Sequence, residues 1–207
     1  MKDYEALSRA HFNRQAARYD ENESVYFSGP AKRSCADVLR LLENVEYRSL
    51  LDVGCGTGWL LAQLAARCPA EYRGLDLAEN MLTRARAKQI PGARFVLGTA
   101  DALPWPDGRF DVVCCIQSFH HYPYPDKAMA EALRVLRPGG LYVLSDTGVG
   151  GPAAWLDNHV FFPLMRSGDC HTENRRGVAR RMERAGFRDV EHWQVKGFIY
   201  TVTGHKP

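Results

Sequence analysis

Three carboxylates and three glycines carry the chemistry that this chain offers first. In Leu50-Leu51-Asp52-Val53-Gly54-Cys55-Gly56-Thr57-Gly58 an apolar run ends in an acid, then passes through glycines at alternate positions into the helix-like Trp59-Leu60-Leu61-Ala62-Gln63-Leu64. Glycine lets a chain turn from strand to helix and lets backbone approach a ligand more closely than any Cβ permits. Farther along, Glu71-Tyr72-Arg73-Gly74-Leu75-Asp76 reads as a second strand ending in an acid, and Phe95-Val96-Leu97-Gly98-Thr99-Ala100-Asp101 as a third that runs into a polar turn. One such acid is an ordinary turn residue or helix cap. Three at the ends of successive strands point to a shared ligand, because open parallel sheets bind ligands at the carboxyl ends of their strands.

The charge of that ligand follows from the pattern. The spacing is G-x-G-x-G, whereas dinucleotide sites use G-x-G-x-x-G to seat a pyrophosphate on a helix N-terminus. Asp52 would repel a pyrophosphate but suits a ligand carrying an ammonium and a sulfonium, as S-adenosylmethionine (SAM) does. Asp76 is then placed to accept the ribose hydroxyls and Asp101 the adenine amino group. Three rivals share part of this pattern. A tight βα turn without a ligand has the same glycines; a nicotinamide oxidoreductase needs the longer glycine spacing; and a non-catalytic SAM-binding regulator keeps acids and glycines while its acceptor pocket is blocked.

The ordered motifs extend beyond the glycine loop. Gly74-Leu75-Asp76-Leu77-Ala78-Glu79-Asn80-Met81-Leu82, Ala100-Asp101-Ala102-Leu103-Pro104-Trp105-Pro106, Phe110-Asp111-Val112-Val113, His120-His121 and Arg134-Val135-Leu136-Arg137-Pro138-Gly139-Gly140 follow it in turn. With them the chain resembles the class I SAM-dependent methyltransferases, in the small-molecule branch of methyltransferase type 11 and quinone-biosynthesis enzymes, over roughly residues 12 to 190. The resemblance implies a Rossmann-like seven-stranded sheet, mostly parallel with a C-terminal antiparallel hairpin and helices on both faces. It implies Gly54 and Gly56 against the methionine moiety, Asp76 on the ribose, and Leu77, Asp101 and Ala102 around adenine. Cys55, Met81, Ala100, Gln117 and Ser118 complete the expected cofactor contacts, with Tyr19 reaching in from the N-terminal segment.

The elements that must position these residues alternate. Strands are expected at 49–53, 71–76, 93–98, 110–116 and 140–146, with helices at 58–67, 78–89 and 126–136 between them, an α/β order that implies parallel strands and right-handed crossovers. Pro138-Gly139-Gly140 is expected to end the third of these helices. A helix over 174–185 capped by Gly186 and a hairpin turning at Lys196-Gly197 should close the chain. The 207 residues suit a single domain, divided into an N-terminal helical lid (1–45), a cofactor core (46–147), a substrate cap (148–173) and a C-terminal helix and hairpin (174–207). A net charge of +3 argues for neither nucleic acid nor a membrane surface, and no apolar run approaches transmembrane length. Met1-Lys2-Asp3-Tyr4-Glu5 lacks a signal-peptide core, so a cytoplasmic monomer or homodimer is expected. Six cysteines without a C-x-x-C pair read as buried thiols, and no metal site or disulfide framework is expected.

Two segments lie outside the core pattern. His11-Phe12-Asn13-Arg14-Gln15-Ala16-Ala17-Arg18-Tyr19-Asp20 resembles the F-x-x-x-A-x-x-Y-D element that precedes the cofactor domain in many family members. It is either a lid, with Arg14, Arg18 or Tyr19 reaching the cofactor carboxylate, or a packing helix with Phe12, Ala16 and Tyr19 as its apolar face. The stretch 148–173 carries Trp155, His159, Phe161, Phe162, Met165 and His171, and is expected to form an apolar acceptor pocket over the sheet end. Methyl transfer itself demands alignment and exclusion of water more than acid–base chemistry. His120 and His121 are the candidates for a base or for positioning the acceptor. No N-P-P-Y-like tetrapeptide follows the fourth strand, and no Pro-Cys pair offers a nucleophilic thiol, so a small-molecule acceptor is expected.

Overall fold

A computed structural model describes residues 2–21 and 28–207, so part of the expected lid, residues 22–27, lies outside the described residues. In chain order the elements are α1 (Tyr4–Gln15), α2 (Ser28–Leu42), β1 (Ser49–Val53), α3 (Trp59–Ala65), β2 (Glu71–Asp76), α4 (Glu79–Ala87), β3 (Ala93–Leu97), β4 (Phe110–Ile116), α5 (Pro125–Val135), β5 (Leu136–Thr147), α6 (Gly151–Leu156), α7 (Phe162–Leu164), α8 (Arg175–Ala185), β6 (Arg188–Lys196) and β7 (Ile199–His205). The strands form one sheet in the order β3-β2-β1-β4-β5-β7-β6. All pairings are parallel except those of β7, which runs antiparallel to both β5 and β6.

Strand alternation distributes the core over two faces. Leu51, Val53, Val113, Tyr142 and Val202 pack with Met129 of α5 and Met182 of α8. Their neighbours Leu50, Val112, Cys114 and Val143 pack with Val38 of α2 and Leu61 of α3 on the other side. Every residue of β1 is buried, as expected of a central strand covered on both faces. β1 lies between β2 and β4, where the strand order reverses, and that reversal opens the crevice in which α/β sheets hold ligands.

One boundary differs from the sequence expectation. α5 does not end at Pro138-Gly139-Gly140: its C-cap is Leu136, already extended at φ −69° and ψ 141°, and β5 begins there. The pairing of β4 with β5 shifts register between Phe110 and Val112, opposite Leu136 and Leu141. Gly139, at φ +75°, turns the backbone inside that irregular start of the strand, so it shapes a bulge. Gly186 does cap α8 in the left-handed conformation, and Gly197 turns the closing hairpin at φ +58°. The six thiols are free, four of them buried. No helix among the described residues is long and apolar enough to cross a membrane.

Candidate active site

The glycine loop after β1 is held by the tip of β2. Gly54 and Cys55 both donate their N–H groups to the Leu75 carbonyl, at 2.8 and 3.0 Å, and Gly56 donates to Asp76 Oδ2 at 2.8 Å. Gly54, Gly56 and Gly58 all have positive φ, at +77°, +52° and +73°. Their reasons for being glycine differ. A Cβ on Gly54 would lie 2.4 Å from Ser118 Oγ and 3.0 Å from the Tyr122 hydroxyl, so its smallness lets the β4 exit pack against the loop. A Cβ on Gly56 would meet no atom within 4 Å, which leaves open space over that position in the cleft. Ser118 lines the cleft, but its hydroxyl is spent on the Val53 carbonyl at 3.1 Å, and Tyr122 donates to the same oxygen.

The cleft has two joined halves. Tyr19, Asp52, Cys55, Gly56, Met81, Gln117 and Ser118 line one of about 100 Å³; Gly98, Ala100 and Asp101 line another of about 30 Å³; Gly54, Asp76, Leu77 and His121 belong to both. Ala102 lines neither and is exposed. Asp101 is carried by a turn that α5 holds from below: Arg134 donates to the carbonyls of Leu103 (2.9 Å) and Trp105 (2.8 Å), and Glu131 accepts the Leu103 N–H at 2.7 Å. Nothing in the sequence marked Arg134 and Glu131 as the support for that turn.

Asp52 and Asp76 give the first half its electrostatic character. Burial, and then the nearby Asp76 charge, push the Asp52 carboxyl up to about 7. Burial pushes Asp76 up to about 6, although its carboxylate accepts N–H bonds from Ala78 and Gly56. Asp52 Oδ1 is buried with no hydrogen-bond partner among the described residues, and no Lys or Arg lines this half. Two desolvated carboxylates and an orphaned oxygen call for a ligand that brings positive charge with it. A sulfonium and an ammonium meet that need, and the residues therefore fit SAM.

The cleft is small beside typical ligand sites of roughly 300 to 1,000 Å³, because a cover lies over it. Ser8 of α1 is buried and reaches His121 Nδ1 and the Gly168 carbonyl, each at 3.3 Å, while the Phe12 ring meets the His121 ring edge-on at 5.0 Å. Asn13 bonds twice to Asn80, and Arg84 donates to the Ala17 carbonyl at 2.9 Å. Asp20 accepts from Thr57 Oγ1 at 2.5 Å and pairs with Lys88 at 2.8 Å, fastening the segment to the glycine loop. Arg14 and Arg18, expected near the cofactor carboxylate, are exposed and line neither half. Asp20 does a different job, holding the segment to the protein's own glycine loop.

A separate cavity of about 580 Å³ lies across Gln117, which lines both spaces. Gln117 is fixed from two sides, donating to Ser34 Oγ and accepting from Thr147 Oγ1, each at 2.9 Å. Arg33, His120, Val149, Phe162, Asp169, Lys196, Phe198 and Ile199 are among the other walls. Of the cap's aromatic residues Phe162 faces this cavity, whereas Trp155 and Phe161 are exposed, so the cap contributes fewer walls than its composition suggests.

The two histidines part company here. Burial alone would lower His120, but Asp146 at 2.7 Å from Nδ1, with Asp169 beyond, holds its pKa above the ordinary value. His121 faces the cleft, and burial followed by the His120 charge drives it well below the ordinary value. His120 therefore lines the separate cavity and His121 the cleft. Cys170 and His171 donate their N–H groups to the His120 carbonyl, which brings Asp169 to the pair. Asp169 was invisible as a site residue in the sequence, since only the path of the 165–174 loop places it there.

The description "methyltransferase domain" fits residues 51–144. The fatty-acid O-methyltransferase of Mycolicibacterium smegmatis is 43% identical over 105 residues, 50% of this chain and 38% of that protein. The malonyl-[acyl-carrier protein] O-methyltransferase of Geobacter sulfurreducens is 36% identical over 190 residues, 87% of this chain and 69% of that protein. Several curated relatives are longer than this chain, which spans 38% to 57% of those first matched. In fold, phosphoethanolamine N-methyltransferase 2 of Haemonchus contortus, solved with SAM, superposes with a TM-score of 0.82 at 17% identity, covering 100% of this chain and 60% of that one.

Proposed function

The chain belongs to the class I SAM-dependent methyltransferases, and from that premise we propose that it transfers a methyl group to a small-molecule acceptor held in the cavity beside His120. Asp76 would take the ribose hydroxyls, Asp101 the adenine amino group, and Asp52 the positive charge at the methionine end. Bound there, SAM supplies an activated methyl that the acceptor atom captures by in-line displacement. The chain's own task is placement: Gln117 and the His120-His121 pair form the wall between cleft and cavity, so an acceptor seated against them faces the methionine half. α1 shields that junction from water.

The single observation that carries this reading is the pair of spaces sharing Gln117 as a wall. A non-catalytic SAM-binding regulator needs no second space, and a nicotinamide enzyme would have no use for the orphaned oxygen of Asp52. Phe162, Phe198 and Ile199 give the acceptor cavity an apolar side, while Arg33 and Lys196 add cations. Two relatives are named for fatty-acid and malonyl-carrier substrates. We therefore place the acceptor among amphipathic molecules whose oxygen group accepts the methyl. The test is transfer of isotope-labelled methyl from SAM to a panel of long-chain acids, malonyl thioesters and hydroxylated lipids, alongside calorimetry with S-adenosylhomocysteine. Binding together with label in one acceptor class is expected. Absence of S-adenosylhomocysteine binding would overturn the reading, and binding without transfer to any acceptor would favour the regulator.

A further inference from the structure

The seam between cleft and cavity holds three side-chain atoms that all accept electron-poor partners. Asp169 Oδ1 lies 3.6 Å from His120 Nε2 and 3.9 Å from His121 Nε2, and the three atoms fall within 4.8 Å of one another. Each imidazole is committed at its other nitrogen. His120 Nδ1 is bonded at 2.7 Å to Asp146, a carboxylate 1% exposed that also accepts the N–H groups of His120 and Thr147. His121 Nδ1 contacts Ser8 Oγ, whose own proton has the Gly168 carbonyl as an acceptor. With Nδ1 of each ring engaged in this way, Nε2 is the atom of each imidazole that can give up its proton and turn a lone pair toward a cation beside the Asp169 carboxylate.

From this juxtaposition we propose a binding site for one divalent first-row transition ion, with His120, His121 and Asp169 as ligands. Imidazole held by a carboxylate or hydroxyl at its far nitrogen is the usual support of a metal-binding histidine. Two imidazoles and one carboxylate suit Zn²⁺, Fe²⁺, Co²⁺ or Mn²⁺ and leave coordination positions open. Bonds of about 2.1 Å at tetrahedral or octahedral angles separate ligand atoms by roughly 3.0 to 3.4 Å, so the two Asp169 contacts would shorten by about half an ångström and the two imidazole nitrogens, within 4.8 Å of each other, would close by up to about 1.5 Å as the ion binds. His121 lines the cleft while His120 and Asp169 line the acceptor cavity. The open positions would thus accept an oxygen of the acceptor beside the methionine half. That role rests on the proposed methyl transfer; ion binding does not.

The test uses tag-free protein, stripped with a chelator and titrated with Zn²⁺ by calorimetry, then with Co²⁺ followed by visible absorption. One ion per chain is expected, with tetrahedral or five-coordinate cobalt bands. Asp169→Asn should weaken binding at least 10-fold, and Asp146→Asn, which removes the charge behind His120 without removing a ligand, by about 10- to 100-fold. S-adenosylhomocysteine affinity, measured on the same samples, should be unchanged in Asp169→Asn, which reports an intact fold and cleft. Zinc affinity and stoichiometry unaffected by Asp169→Asn would overturn the site and assign any bound zinc to thiols elsewhere. Ion binding without S-adenosylhomocysteine binding would leave the site standing and remove the methyl-transfer reading instead.

Discussion

The carboxyl edge of the sheet and the cover above it face the same cleft, yet they are held by different kinds of interaction. Asp52 and Asp76 end strands whose backbone is bonded on both sides and whose neighbours Leu50, Leu51 and Leu75 are buried. α1 and the turn after it, by contrast, bury only Ser8 and Ala16 fully; a small cluster of Phe12, Ala16 and Tyr19 against Ala78 and Met81, together with the Asn13, Ala17 and Asp20 bonds, ties them down. Global stability therefore resides in the sheet and access to the cleft in the cover, since segments with little buried apolar area open at small free-energy cost. A cleft of about 100 and about 30 Å³ under a closed cover requires such opening before a nucleoside ligand enters.

The largest expected effect lies on the sheet side. Asp76→Ala removes an acceptor for two backbone N–H groups, so it loosens the glycine loop as well as the proposed ribose contact. S-adenosylhomocysteine affinity should fall by 30-fold or more, about 2 kcal/mol or above. Calorimetry on a folded variant with unchanged affinity would break the contrast, because the sheet edge would then not be the binding side.

A second effect belongs to the same edge and has a definite sign. Asp52 titrates near 7 in the folded protein and Asp76 near 6, both above the ordinary range for aspartate. An acid raised on folding stabilises the fold fully below its unfolded pKa of about 3.9, and that contribution is lost as pH rises through the folded value. Between pH 5 and pH 8 the ligand-free protein should lose up to about 4 kcal/mol from these two groups. Urea denaturation across that range checks it. Asp52→Asn should flatten the dependence, and a variant with the wild-type slope would show that Asp52 is ionised throughout.

How far each region was legible in the sequence follows the same division. Asp52 and Asp76 could be read because a strand end is a local event, and parallel strands place successive ends along one edge; Asp101 lies in the turn beyond the end of β3 at Leu97. Gly54 shows where locality stops: it reads as a ligand contact, but its Cβ is excluded by Ser118, far along the chain. Gly139 reads as a helix terminator because proline precedes it, yet the helix had already ended at Leu136 under the pull of the β4 pairing. Asp20 and Arg134 stand in recognisable motifs but their tasks could not be read, and Asp169 was silent altogether, because each acts on a residue distant in sequence. Of Arg14, Arg18 and Tyr19, the three that a lid could bring to the ligand, Tyr19 lines the cleft and the two arginines are exposed, a difference that depends on which way the segment is rolled against α4.

On the cover side the effects should be smaller in affinity and larger in rate. Asp20→Ala removes the Thr57 and Lys88 contacts without touching the core. Thermal stability should hardly change, because partly exposed ion pairs contribute about 0 to 1 kcal/mol. Release of S-adenosylhomocysteine in stopped flow should accelerate about 3- to 10-fold, as expected when a gating segment is less often closed. A release rate equal to wild type would place the gate elsewhere.

The smallest expected effect tests whether the N-terminal segment and the cap move as one. Lys2 donates its ammonium to the carbonyls of Phe162, Pro163 and Met165, at 3.0, 2.9 and 2.5 Å, and so ties the start of the chain to the last turn of the cap. Cations at a helix C-terminus satisfy carbonyls that have no intrahelical partner. α7 is only a short turn, and the side chains around it, Leu164 and Met165, are exposed, so little else holds the two together. Lys2→Met keeps the length of the side chain and removes the donors. Denaturation midpoints should shift by no more than a surface change does, about 0.5 kcal/mol. Ligand association and release should both quicken about 2- to 3-fold, leaving affinity nearly constant, because opening is eased without altering a group that faces the cleft. If release quickened in Asp20→Ala but not in Lys2→Met, the segment would open about its Asp20 end while the cap stayed in place. Equal acceleration in both would mean that the N-terminal helix and the cap lift together.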